Sequence, residues 1–143
     1  STPHREALIS RYRVPQPRTA FAVALGGLAS AALDVSDGLI ADLSHIATAS
    51  GVSISVSAEI IPLSADLRSL WGEAAVLRAS TCGDDYEIAF AARPGHEAEV
   101  LALGAETGTP VTRIGEVTEG TGVRLIDGNS TEIPVSRPGF RHF

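Results

Sequence analysis

The stretch ALDVSDGLIADLSHIATASG, residues 32–51, constrains the fold most strongly, because a strand pattern turns directly into a helix pattern within it. The part that ends at Val35 is short and apolar, which suits a buried strand. The apolar residues that follow recur at helical spacing on one face, namely Leu39, Ile40, Leu43, Ile46 and Ala47. Gly51 stands where a helix C-terminal cap belongs. The junction therefore predicts helices packed on a sheet.

Helix and strand patterns continue to alternate along the rest of the chain. We predict helices in TAFAVALGGL ending at Gly26 and Gly27, in LSADLRSLWGEAAVLRAS with a break near Gly72, and in GHEAEVLALGAETG closed by Gly108. We predict strands in VSISVS, YEIAFAA, VTRIGEV and GVRLID, and a hairpin at the Asp-Gly of IDGNSTEI. The prolines of VPQPR predict an extended segment over residues 1–18, and the tail RPGFRHF is expected to be irregular. The predicted fold class is α+β, with a layered mixed sheet and packed helices.

Composition limits the classes of protein to consider. The chain has 143 residues, of which 44% are hydrophobic and 20% charged, as expected for one domain with a packed core. A net charge of −6 argues against a nucleic-acid-binding surface, which needs clustered Lys and Arg. The start is polar and basic, unlike a signal peptide, and the longest uncharged run, Thr19–Leu33, is shorter than the ~20 residues of a membrane span. We expect a soluble protein without a membrane or nucleic-acid partner.

The spacing of the cysteine and histidine residues predicts neither a disulfide nor a metal site. Cys82 is the single cysteine, so an internal disulfide is impossible and a reducing compartment is compatible with the sequence. The four histidines stand far apart and share no metal-ligand spacing, and we expect them to be solvated or capping residues: His4, His45, His96 and His142.

The segment DVSDG, residues 34–38, has the residue types of a phosphate and metal site. Asp34 ends the predicted strand and Asp37 starts the predicted helix, so carboxylate oxygens suited to Mg²⁺ lie beside a helix N-terminus that attracts phosphate. Gly38 lets a ligand approach the backbone closely. The alternative is that Ser36 or Asp37 only caps the helix.

Two further segments could contribute to a site. In CGDDYE, residues 82–87, the acids Asp84, Asp85 and Glu87 stand at the mouth of a predicted strand, where layered α/β proteins often bind ligands. The alternative is a solvated turn. In the tail, Phe140 and Phe143 could stack on a flat ring, or could simply anchor the chain end.

Taken together, DVSDGLIADLSHIA, GDDYEIAF and the closing GFRHF resemble the C-terminal half of bacterial thiamine-monophosphate kinases, within the aminoimidazole-ribonucleotide-synthetase superfamily. RYRVPQPR and RIGEVTEGTGV fit the same pattern, so the resemblance extends over essentially the whole chain. It implies transfer of the γ-phosphoryl group of ATP to thiamine monophosphate, with Mg²⁺, by a cytoplasmic homodimer. Two alternatives are another ATP-dependent enzyme of the superfamily and a non-catalytic module that binds a thiamine phosphate.

The resemblance also implies roles for single residues. Asp34 and Asp37 match Mg²⁺ ligands, and Ser36 matches a position that contacts ATP. Asp84 matches a substrate-binding position, and Phe140 matches an aromatic residue that lies against the thiamine. The implied architecture is a single, partly ferredoxin-like C-terminal domain over 1–143, which lacks the N-terminal ATP-binding and dimerisation domain and is not expected to turn over substrate alone. One departure is Cys82, where the family usually has glycine, although Gly83 keeps the freedom of the turn.

Overall fold

The structure, a computed structural model, describes residues 2–13, 18–81 and 87–135, apart from the side chains of Thr2 and Tyr12. The described helices are α1 (Thr2–Arg13), α2 (Thr19–Leu25), α3 (Leu39–Ser50), α4 (Ala65–Trp71), α5 (Ala75–Thr81) and α6 (Glu97–Thr107). The strands are β1 (Ala29–Val35), β2 (Ser53–Ser57), β3 (Glu87–Ala92), β4 (Gly115–Thr118), β5 (Gly122–Ile126) and β6 (Glu132–Ile133). Short 3₁₀ turns occupy Ala58–Ile60, Gly72–Ala74 and Pro94–His96. Among these residues, no helix has the length and apolar character needed to cross a membrane.

The described strands form two sheets. β1 and β3 pair antiparallel, with Val35 opposite Glu87 and Asp34 opposite Ile88. The second sheet has the order β4-β2-β5-β6, in which β2 runs parallel to β5 and antiparallel to β4. The α+β class with a mixed sheet is confirmed, and the division of the strands between two sheets is a feature that the pattern of elements did not predict.

Helix α3 joins the two sheets through one core. Its predicted apolar stripe is confirmed, since Ile40, Leu43, Ile46 and Ala47 are all buried. They pack in one cluster with residues of the β1–β3 sheet and of the second sheet, including the fully buried Val56 and Leu125. Because α3 is fixed between both sheets, its N-terminal turn has a defined position relative to the end of β1.

The opposite face of the β1–β3 sheet is covered by α2 and α6. Phe21, Leu25 and Val100 form a second buried cluster, against which Ile88 and Phe90 of β3 pack. The rings of Phe21 and Phe90 lie 5.7 Å apart in a tilted arrangement, which is a favourable geometry for an aromatic pair. The β1–β3 sheet is therefore the middle of three layers.

The prediction of an extended segment over residues 1–18 is wrong for residues 2–13, which form α1. Prolines exclude a helix only at and just before their own positions, and residues 14–17, which hold two of them, lie outside the described residues. Pro3 stands in the first turn of α1, where its missing N–H is tolerated. The helix docks on α4, and the His4 ring bonds the Asp66 carboxylate.

Local signals elsewhere predicted element ends correctly. Gly51 and Gly108 close α3 and α6 in the left-handed conformation, and Gly72, with a φ of 55°, separates α4 from α5. β5 and β6 form the predicted hairpin, in which the Asp127 side chain accepts hydrogen bonds from the backbone N–H groups of Asn129 and Thr131. The tail 137–143 lies outside the described residues.

Candidate functional site

The candidate site begins where β1 ends and α3 begins. Residues 36–38 make this junction, and buried Gly38 has a φ of 129° and a ψ of 150°. This region of the backbone map is essentially restricted to glycine. The backbone turn itself therefore requires glycine at position 38. From the sequence, the reason expected for this glycine was the close approach of a ligand.

A residue that the sequence reasoning missed, Asp42, organises this junction. Asp42 lies in the first turn of α3 and is only 4% exposed. Its Oδ2 accepts hydrogen bonds from the backbone N–H of Ser36 at 2.8 Å and of Asp37 at 3.0 Å. These two N–H groups are thus engaged within the chain, and the expected binding of phosphate at the start of α3 stays a prediction.

The N-cap position of α3 is Gly38, which has no side chain to accept a hydrogen bond, so neither Ser36 nor Asp37 stands at the cap position. The carboxylate of Asp42 instead reaches back from within the helix to the two residues before the cap. A negative charge in this first turn also interacts favourably with the helix dipole.

Asp37, Asp42 and His45 form a group in which one potential ligand atom from each residue lies within 4.8 Å of the others. Asp42 and His45 are three apart on α3 and so share a helix face, a spacing that could have revealed the pair in the sequence. His45 was expected to be only a solvated or capping residue, and it is exposed. Two carboxylates and an imidazole can bind a divalent cation, and carboxylate oxygens are the ligands that Mg²⁺ prefers.

Asp34 and Ser36 stand on either side of Val35, the last residue of β1. Both are exposed, and alternation along β1 turns their side chains away from buried Val35. Asp34 does not belong to the group formed by Asp37, Asp42 and His45 among the described residues. The roles expected for Asp34 in metal binding and for Ser36 in nucleotide binding stay predictions.

The two acidic motifs leave the β1–β3 sheet at the same edge. Val35 at the end of β1 pairs with Glu87 at the start of β3, so residues 36–38 and residues 82–86 both start from this pair. Asp84 lies in the latter segment and Phe140 in the tail, and both are outside the described residues, so their roles as substrate contacts stay predictions.

Glu87, the last acid of its motif, is held by arginines. Its two carboxylate oxygens accept hydrogen bonds from Nε of Arg18 at 3.3 Å and from a terminal nitrogen of Arg18 at 3.2 Å, and a terminal nitrogen of Arg11 donates at 2.8 Å. These contacts tie α1 and the start of α2 to the edge from which both acidic motifs leave. They also make Glu87 a poor candidate for a metal ligand.

Comparison with known proteins defines the class. The family described as AIR synthase related protein, C-terminal domain, matches residues 12–128, and the chain belongs to this family. The thiamine-monophosphate kinase of Caulobacter vibrioides is 40% identical over 142 residues, covering 95% of this chain and 40% of the relative. The corresponding Aquifex aeolicus kinase is 33% identical over 144 residues, covering 99% and 43%. The chain thus spans about two-fifths of the length of these relatives.

Solved structures give the same result. The thiamine-monophosphate kinase of Stenotrophomonas maltophilia K279a aligns with a TM-score of 0.75 at 42% identity, over 78% of this chain and 35% of that one. A structure named AaThiL complexed with AMPPCP and TMP aligns with a TM-score of 0.79 at 30% identity, over 99% and 42%. The fold also occurs in Escherichia coli HypE, a hydrogenase maturation protein, with a TM-score of 0.68 at 24% identity.

Proposed function

We propose that this chain is the C-terminal domain of a thiamine-monophosphate kinase, which transfers the γ-phosphoryl group of ATP to thiamine monophosphate and yields thiamine diphosphate and ADP. The observation that carries the proposal is the departure of both acidic motifs from one edge of the β1–β3 sheet, at the pair Val35 and Glu87. The proposal is supported by relatives with this name at 40% and 33% identity. It is also supported by the related structure that holds AMPPCP, an ATP analogue, together with TMP.

In this proposal, Asp34 and Asp37 hold Mg²⁺ and Ser36 contacts ATP. The donor chemistry fits, because Asp37 is half-buried and its carboxylate lies beside that of Asp42. Bound Mg²⁺ supplies positive charge that offsets the charge of the phosphates of both substrates. Asp84 and Phe140 hold the thiamine monophosphate, with the Phe140 ring against the thiamine.

For phosphoryl transfer, the protein mainly has to position the two substrates and offset the negative charge of their phosphates. The attacking oxygen belongs to the phosphate of thiamine monophosphate, which is already ionised at neutral pH, so no side chain has to act as a general base. Phosphoryl transfer depends mainly on positioning and electrostatic stabilisation. We therefore propose direct in-line transfer, without a phosphorylated residue of the enzyme as an intermediate.

The remainder of the active site belongs to the part of the kinase that this chain does not span. The chain covers 40% of the Caulobacter relative, and we propose that the other part supplies further ATP contacts and the contacts of a homodimer. We expect the isolated chain to lack turnover for this reason.

The test uses the complete gene product with Mg²⁺, ATP and thiamine monophosphate, and detects thiamine diphosphate by mass. We expect product from the wild type and a loss of about 10²-fold or more in Asp34→Asn, the scale of one strong electrostatic contact to a transition state. Glu119→Gln removes the same charge from an exposed position between β4 and β5 and serves as the matched control.

Three outcomes contradict the proposal. Phosphorylation of a different acceptor by ATP would indicate another enzyme of the superfamily. Binding of thiamine phosphates without consumption of ATP would indicate a binding module. A phosphorylated aspartate or serine on the reaction path would exclude direct transfer.

A further inference from the structure

We propose that Asp42 is a positioning residue of the kinase site, which holds residues 36–38 in the conformation that presents Asp37 to the metal and Ser36 to the nucleotide. This inference rests on the proposed function and adds to it a residue that the sequence motifs do not assign. It is carried by two hydrogen bonds from the junction backbone to the Asp42 carboxylate and by the burial of that carboxylate.

The Asp42 side chain holds the two residues that precede Gly38. Oδ2 of Asp42 accepts from the N–H groups of Ser36 and Asp37 at 2.8 and 3.0 Å. The backbone N–H of Asp42 also donates to the carbonyl oxygen of Gly38 at 2.9 Å, which is the ordinary first hydrogen bond of the helix and does not depend on the side chain. Hydrogen bonds to an ionised carboxylate are about twice as strong as bonds between neutral groups, so this residue restricts the junction far more than an ordinary helix residue would.

Burial makes these bonds necessary as well as strong. Asp42 is 4% exposed, and a buried carboxylate is costly unless hydrogen bonds compensate for the lost water. Its neighbour Leu43 lies in the core that α3 shares with both sheets. The position of the Asp37 backbone is thereby fixed relative to the core that α3 shares with both sheets. Residues that hold a metal ligand in this way typically change metal affinity or activity by roughly 10–100-fold when mutated.

One rival role is direct metal binding, because ligand atoms of Asp37, Asp42 and His45 lie within 4.8 Å of one another. The two roles differ in what Asp42 must keep. Positioning needs an oxygen that accepts two hydrogen bonds, which the carboxamide of Asp42→Asn retains. Direct binding needs the negative charge of Asp42 and the imidazole of His45, so Asp42→Asn and His45→Ala would then be equally harmful.

The experiment titrates the complete gene product with Mn²⁺, a spectroscopic substitute for Mg²⁺, and measures free Mn²⁺ by electron paramagnetic resonance. The Mg²⁺ concentration for half-maximal thiamine diphosphate formation is measured in parallel. The variants are Asp42→Ala, Asp42→Asn and His45→Ala. Ser44→Ala is the control, because it removes a half-buried hydrogen bond of α3, from Ser44 Oγ to the Ile40 carbonyl at 2.8 Å, without touching the junction.

We expect Asp42→Ala to raise two concentrations roughly 10–100-fold: that of Mn²⁺ at half-saturation and that of Mg²⁺ at half-maximal thiamine diphosphate formation. We expect Asp42→Asn to raise them less than about fivefold, since a neutral oxygen still accepts both hydrogen bonds. Ser44→Ala should leave them unchanged, and His45→Ala should raise them less than Asp42→Ala does. Circular dichroism at the assay temperature checks that each variant is folded.

A folded Asp42→Ala variant with the metal dependence of Ser44→Ala would overturn the proposal, because the role would then be only structural. Rises of roughly 10-fold or more in both Asp42→Asn and His45→Ala would overturn it in favour of direct binding. If Asp42→Ala does not fold, the other two variants decide between the same roles. Mn²⁺ binding needs no substrate, so a wild type that binds Mn²⁺ but forms no thiamine diphosphate would refute the proposed function while leaving the role of Asp42 measurable.

Discussion

At the residue scale, the geometry of the site depends on backbone conformation at one glycine. Gly38 combines a φ of 129° with a ψ of 150°, and it is buried directly before α3. A side chain at this position would oppose the turn that brings Ser36 and Asp37 under the carboxylate of Asp42. Within the motif DVSDG, Gly38 is therefore the residue that the backbone turn requires.

We predict that Gly38→Ala destabilises the protein by about 1–3 kcal/mol, the cost of holding a non-glycine residue in this region. The free energy of unfolding in urea measures the effect. Gly95→Ala is the matched control, since Gly95 has no positive φ and a Cβ there would meet no atom within 4 Å. Equal unfolding midpoints for the two variants would show that the turn is not strained by a side chain.

At the scale of single elements, α6 shows how packing opposes intrinsic helix preference. Gly104 is buried inside this helix, although glycine is a poor helix former. A Cβ at Gly104 would lie 2.7 Å from Cγ2 of Val111 and 2.8 Å from the carbonyl oxygen of Thr109. The glycine thus allows the chain after α6 to return closely along the helix.

We predict that Gly104→Ala lowers the urea midpoint. Alanine would gain about 1 kcal/mol in helix propensity, but the contact with a backbone oxygen forces an overpacking cost of about 1–3 kcal/mol. Ala98→Gly on the exposed face of α6 reports propensity alone and should also destabilise. A raised midpoint in Gly104→Ala would mean that residues 109–111 move aside easily.

The helices and strands that the sequence predicted well are those whose position depends on neighbouring residues in the chain. The stripe of α3 and its end at Gly51 follow from residue spacing and from the backbone freedom of glycine, and both are confirmed. The helix α1 was missed because the argument from prolines was applied beyond their neighbours. The separation into two sheets depends on contacts between distant strands, which no local pattern contains.

The candidate site was predictable in part. The motif of Asp34, Ser36 and Asp37 is visible as residues, whereas the role of Asp42 depends on a turn that brings its carboxylate back onto the preceding loop. No prediction was made from the sequence for Asp42, which stands beside the apolar stripe and is buried. Asp84 and Phe140 rest on the family resemblance alone.

At the scale of the whole molecule, three layers place the end of β1 and the start of β3 at one edge. α3 packs on one face of the β1–β3 sheet, and α2 and α6 pack on the other. Both acidic motifs leave this sheet at the pair Val35 and Glu87. This arrangement gives the rest of the kinase one edge at which to complete a site for two phosphorylated substrates, as proposed above.

The most direct test of the account is the rate of γ-phosphoryl transfer from ATP to thiamine monophosphate by the complete gene product and its Asp37→Asn variant. The account predicts thiamine diphosphate formation by the wild type and a rate about 10²–10³-fold lower in Asp37→Asn, with Glu119→Gln unchanged. A folded Asp37→Asn variant with the rate of the control would contradict the account, because the edge of the β1–β3 sheet would then not be where the phosphoryl group is transferred.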